Sequence, residues 1–177
     1  MKYRILPVLA CLVMMFSGQA HAQNGATVNS TYSQNFVQKA AAGNLFEILS
    51  SQIALEKSKN EKVREFAQKM ITDHTKAGND LKAAMEKANA TDAPLTAPAE
   101  TLDPAHQQIL DTMKAASSDL FDAKYIDAQV SAHNEAIRLF QGYKNDGVNT
   151  ALKDFAEMTL PVLEAHKQHI DALAKTM

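Results

Sequence analysis

The sequence predicts an all-α protein: a ferritin-like four-helix bundle with a long connection, containing a short helix, between helices two and three. Three observations carry this. From about Ser33 onward the chain is rich in Ala, Leu, Glu, Lys and Gln, and no window alternates like a strand. Apolar residues recur at steps of three and four over four long segments. Two tight turns and one Pro-bearing connection separate those segments. The first helix is expected from Ser33 to Lys59. Asn60 reads as the N-cap of a second helix from Glu61 to about Asn89. Residues 90–102 contain Pro94 and Pro98 and form a connection. Asp103 followed by Pro104 is a cap with proline at the first helical position, opening a short helix to about Ala116. Ser117 or Ser118 starts the third long helix, which ends near Asn145. Asp146-Gly147 is a turn, and Asn149 or Thr150 begins the last helix. Residues 90–117 are long enough to run the length of the bundle, which favours a crossover over a simple zigzag.

The N-terminus has the three parts of a secretory leader. Lys2 and Arg4 supply positive charge, Ile5 to Phe16 is uncharged and largely apolar, and Ala20-His21-Ala22 is small at both ends. Residues 1–22 are therefore expected to be a signal peptide cleaved near Ala22, leaving a periplasmic or secreted protein. Val8-Leu9-Ala10-Cys11 loosely resembles a lipid-attachment box, but the apolar run continues past the cysteine. That run is too short to span a bilayer, and no second one follows, so no mature transmembrane segment is expected. Residues 23–32 are small and polar and read as a flexible lead-in, leaving 33–177 as a single bundle domain.

Cleavage would remove Cys11, the only cysteine, and with it disulfides, zinc-thiolate sites and cysteine nucleophiles. Loss of Lys2 and Arg4 leaves 16 basic against 20 acidic side chains. This acidic balance, with no Trp and scattered lysines, argues against nucleic acid as a partner. A protein partner in the cell envelope is compatible with the sequence, which does not identify one.

Each of the last three long helices carries one histidine on its apolar stripe. In the second, Val63, Ala67, Met70, His74, Ala77, Leu81, Ala84 and Ala88 form the seam. Ile126, Val130, His133, Ile137 and Phe140 form it in the third. Leu152, Phe155, Thr159, Val162, His166, Ile170 and Leu173 form it in the fourth. The first helix offers Phe36, Ala40, Gly43, Glu47, Ser50 and Ala54, with Glu47 its only charge. Glu47 lies 13 residues before Asn60 and His74 lies 14 after it, while His133 lies 14 before Gly147. His166 lies 19 beyond Gly147, a few residues off that level.

Glu47, His74, His133 and His166 are thus the candidate metal ligands. Imidazoles with a carboxylate suit a divalent transition metal, Zn, Cu, Fe or Ni. The competing reading is a buried network in which these groups hydrogen-bond one another without metal. Folding the third helix back about residue 147 places Tyr125 opposite His169 and Gln129 opposite 165. Asp122, Tyr125, Asp127, Gln129 and His169 are therefore candidates for orienting the imidazoles from outside. Pro161 falls within the last helix, where it removes one backbone hydrogen bond and bends the chain near His166. His106 reads as exposed. No residue three before His74, His133 or His166 is a glutamate, so the Glu-x-x-His pattern of di-iron carboxylate bundles is absent.

The stretch Phe66-Ala67-Gln68-Lys69-Met70-Ile71-Thr72-Asp73-His74, the block Phe121-Asp122-Ala123-Lys124-Tyr125 with His133, and Leu160-Pro161 followed by His166 resemble a known family. This is the bacterial exported "domain of unknown function 4142" family, regarded as ferritin-like, and the resemblance runs from about Phe36 to Leu173. It implies an extracytoplasmic four-helix bundle with Glu47, His74, His133 and His166 at motif positions, and it implies no activity. The functional expectation is a non-enzymatic periplasmic bundle serving envelope homeostasis or stress tolerance. Its alternatives are a structural or partner-binding bundle and, with less support, a redox metalloenzyme.

Overall fold

The computed structural model describes residues 20–91 and 94–176, with side chains from residue 30. The expected signal peptide and Cys11 fall almost wholly outside the described residues. Five helices follow in order: α1 (Ala20–Lys57), α2 (Glu61–Thr91), α3 (Pro104–Ala115), α4 (Ser118–Asp146) and α5 (Thr150–Ala174). Among the described residues there is no strand. No described helix is long and apolar enough to cross a membrane.

The boundaries follow local chemistry. Asn60 Oδ1 accepts from Lys62 N at 3.0 Å, starting α2. Asp103 Oδ1 accepts from the backbone of Ala105 and His106, with Pro104 at the first turn of α3. Asn149 Oδ1 accepts from Leu152 N to open α5. Ser117 occupies the cap position of α4 but makes no side-chain cap bond. At Gly147 a Cβ would come within 2.4 Å of the Tyr143 carbonyl, so the α4–α5 turn has room only for glycine. One boundary differs from expectation. The α1 backbone is helical from Ala20, through the 23–32 stretch read as a flexible lead-in. Those residues include no proline, and extending an existing helix costs far less than nucleating one.

Side-chain pairings define the topology. Ser33 on α1 meets Tyr143 on α4, and Ser51 meets Tyr125, so α1 and α4 are antiparallel neighbours. Asp73 meets His166 and Phe66 meets His169, so α2 and α5 are antiparallel neighbours too. With the α1–α2 and α4–α5 hairpins, the ring order is α1, α2, α5, α4. The helices α2 and α4 are then diagonal and parallel, which requires the intervening chain to return the length of the bundle. That segment is the long crossover with α3 in it, lying against α1 and α4.

The core is divided. One apolar cluster is built around Phe36, Leu81, Phe140, Tyr143, Leu152 and Phe155. A second is built around Phe46, Phe66, Met70, Phe121, Tyr125 and Ile170. Between them lies a buried polar layer containing Glu47, Ser50, His74, Gln129, His133 and His166. The predicted seams hold with one exchange. On α5 Val162 is 42% exposed and Leu163 is buried in its place. Either residue keeps helical steps of three and four between Thr159 and His166, so the packing of α5, and not the spacing, turns Leu163 inward. Pro161 lies on the exposed side of α5, which continues through it.

Candidate metal centre

Helices α2, α4 and α5 each place one imidazole in the dividing layer. His74, His133 and His166 are 5%, 0% and 1% exposed. Their ring centroids are separated by 5.9 Å (His74–His133), 5.5 Å (His74–His166) and 5.4 Å (His133–His166). The sequence offset of His166 therefore disappears: its antiparallel neighbour is α2, whose Asp73 lies level with it.

The two nitrogens of each ring have different surroundings. His74 Nδ1 is 3.0 Å from Asn44 Oδ1. His133 Nδ1 is 2.9 Å from the Gln129 carbonyl oxygen. His166 Nε2 is 2.7 Å from Asp73 Oδ2. Each of these partners accepts, so each outer nitrogen carries the proton and donates. The other nitrogens, His74 Nε2, His133 Nε2 and His166 Nδ1, are buried and have no hydrogen-bond partner. In the neutral rings these three nitrogens carry lone pairs only. Three acceptors cannot satisfy one another, which counts against a self-satisfied hydrogen-bonded core.

One ligand atom from each ring lies within 4.8 Å of those of the other two. A metal with bonds of about 2.0 Å separates its nitrogens by roughly 3.3–3.5 Å, so each ring would shift inward by less than about 1 Å. Burial pushes the histidines toward the neutral form that a metal requires. His74 is lowered to about 3 by burial, aided by the nearby His133 and His166. His133 is lowered to about 4, again mainly by burial. Burial also lowers His166, against the opposing pull of Asp73. For Asp73 itself, burial raises the pKa, but hydrogen bonds from Lys69 and His166 outweigh it and leave the carboxyl below its usual range.

Glu47 is placed differently from the imidazoles. It is buried in the same layer, but Oε1 lies 3.3 Å from Nδ1 of His133, the outer nitrogen. Among the described residues, the converging ligand atoms belong to the three histidines alone. Burial pushes Glu47 up to about 8, partly offset by the Gln129 side chain, and its Oε2 has no partner.

The groups expected to orient the imidazoles divide similarly. Gln129 does so through its carbonyl, while its amide donates to Ser50 Oγ at 3.0 Å. Tyr125 is buried and pairs with Ser51 Oγ at 2.9 Å. Asp122 is half-buried, and Asp127 and His169 are exposed, His169 edge-on to Phe66 at 5.2 Å. None of Asp122, Tyr125, Asp127 or His169 bonds to a site imidazole. The orienting partners come instead from α1 and α2, as Asn44 and Asp73. Both carried a signal. Asn44 precedes Glu47 by three residues on the same stripe, and Asp73 precedes His74 directly. Gly78 completes the support, because a Cβ there would lie 3.1 Å from Asn44 Nδ2. His106, expected to be exposed, is half-buried; it is bonded to Asp103 and packed on Phe46 at 4.8 Å.

Asp73→Ala removes the acceptor that fixes the tautomer and orientation of His166. The expected result is a 10–100-fold loss of metal affinity with the fold intact, measured by competition titration against a chelator. Unchanged affinity would show that His166 takes no part in binding.

The fold and this layer define a class: a helical bundle with a buried triad of imidazoles held by outer hydrogen bonds. The chain belongs to the family described as "Domain of unknown function (DUF4142)", whose model matches residues 18–173. Comparison with curated protein sequences gives no significant match. Among solved structures the chain is similar to one described as "CopM in the Cu(II)-bound form". The identity is 15% and the TM-score 0.63, covering 81% of this chain and 95% of that one, a likeness of fold.

Proposed function

We propose that this protein is an exported transition-metal-binding bundle of the cell envelope, with His74, His133 and His166 as ligands and copper as the preferred metal. The observation that carries the reading is a cluster of three buried imidazoles, each offering a ligand atom within 4.8 Å of the others and each with one nitrogen bonded and the other without a partner. Glu47 supports His133 from behind and balances charge. Three neutral nitrogen donors select little by softness or size, so affinity follows the general divalent order, in which copper exceeds zinc and nickel. The Cu(II)-bound state of the structural neighbour supports the same choice. Export rests on the leader pattern of residues 1–22, with cleavage near Ala22. Holding a reactive metal in a thiol-free mature chain fits envelope homeostasis or stress tolerance.

The test is elemental analysis of untagged protein after exposure to equimolar copper and zinc, beside a His74→Ala/His133→Ala variant. About one copper per wild-type chain and none in the variant is expected. Equal, negligible metal in both overturns the reading, and zinc in place of copper overturns the choice of metal.

A further inference from the structure

The three imidazoles are buried, so an ion can reach them only through an opening in the bundle. A cavity of about 60 Å³ provides one, with room for an ion and part of its hydration shell. Its lining grades inward: Lys39 and Glu135 are exposed, Gly43 and Ala136 are half-buried, and Glu47 and His74 are buried. Two larger grooves, one between α2 and α5 and one under the crossover connection, have no site histidine in their walls.

The chemistry along this passage suits a cation. At its inner end the polar atoms without a partner are Glu47 Oε2 and His74 Nε2, a carboxyl oxygen and an imidazole lone pair. At its mouth Lys39 stands against Glu135 and, in the adjoining groove, Asp103, which is bonded to His106. Acidic groups therefore outnumber lysine there, and a surplus of negative charge raises the local concentration of cations. Gly43 keeps the passage wide. Glycine inside a helix is a destabilising choice, tolerated where the backbone needs its freedom or another group approaches closely. Neither applies: no described glycine has positive φ, and a Cβ on Gly43 meets nothing within 4 Å.

We propose that this cavity is the route by which the metal enters and leaves the triad, with Glu47 as the oxygen donor that takes the ion from the mouth to His74. The inference rests on the metal reading above. His74 is the one triad member that lines the passage, so the ion meets α2 before it meets the imidazoles of α4 and α5. A constriction on a single route slows entry and exit by the same factor and leaves affinity alone. A lost ligand instead speeds release.

Copper(II) uptake by the full chain is followed in a stopped-flow instrument by quenching of tyrosine emission, and release by transfer to excess EDTA. Gly43→Leu and, independently, Ala136→Leu should slow uptake and release alike, each by about tenfold or more, with copper affinity, stoichiometry and helicity unchanged. Gly142→Leu, the same exchange at a helical glycine outside the cavity wall, should match wild type. Glu135→Lys, at the exposed mouth, should slow uptake at low salt and not at high salt. Wild-type rates in both wall variants overturn the route and leave the metal reading standing. Faster release with weakened affinity makes the wall part of the binding site itself and overturns the route as well. No copper in the wild type defeats the metal reading, and the route with it.

Discussion

His133→Leu is expected to abolish metal binding and, in the metal-free protein, to leave the thermal midpoint unchanged or raise it. His133 is fully buried and its Nε2 has no partner. A buried acceptor left unsatisfied costs about 1–3 kcal/mol, and a leucine of similar bulk removes that cost. Glu47 loses its contact with His133 but keeps Gln129 beside it. The net expectation is a gain of up to about 2 kcal/mol, or roughly 4–8 °C at the 2–4 °C per kcal/mol typical of chains this size. Metal is expected to act on only one of the two proteins. At a thousandfold excess over its dissociation constant it stabilises wild type by about 4 kcal/mol. That moves the midpoint up by roughly 8–16 °C, and the variant should not respond. Differential scanning calorimetry with and without copper reads both effects. A metal-free variant that melts far below wild type would make the imidazole a structural element of a hydrogen-bonded core.

Stability of the metal-free protein should peak near pH 6.5 and fall on both sides. His74 and His133 are held to about 3 and about 4 in the fold, chiefly by burial, against about 6.5 in the unfolded chain. Between those values the unfolded state binds more protons, so stability drops as pH falls below about 6.5. Glu47 behaves oppositely. Burial raises it from 4.5 to about 8, so its contribution is present at low pH and is lost as pH rises toward 8. Two histidines outweigh one carboxyl below pH 6.5, and the acid limb steepens once the unfolded-state glutamate is protonated too. Urea midpoints from pH 4 to 9 measure the profile, and a His74→Leu/His133→Leu variant should lose the acid limb. A flat wild-type profile would mean that the imidazoles are solvated.

The histidines were legible in the sequence because a polar residue on an apolar seam breaks the pattern that places it there. The turn positions then fixed their height, since antiparallel helices of similar length share a midpoint. The length of residues 90–117 favours the crossover without forcing it, because a connection that long also fits a simple zigzag. Register across helices that are not consecutive was not legible. Folding α4 onto α5 matches Tyr125 with His169, yet Tyr125 bonds to α1, and His166 is held by Asp73 from α2. Chain adjacency says nothing of which two helices close the ring. Asn44 does not stand out in the sequence, because an amide on a small-residue stripe looks neutral until its oxygen is found against an imidazole. Val162 and Leu163 are adjacent apolar residues, and a periodicity of 3.6 separates them only once packing has set the phase of α5.

The division of the core by the polar layer also bears on how the molecule assembles. The α1–α2 hairpin owns one of the three imidazoles and the α4–α5 hairpin owns two. Neither half can offer the complete triad, so the triad comes into being only when the two hairpins dock across the seam. A metal held there would be a staple between the two hairpins, joining them at the level where the polar layer separates the two apolar clusters. Its release would loosen that level alone, while the apolar contacts between the hairpins persist on either side of it. Metal occupancy would therefore report docking of the hairpins, separately from formation of the helices.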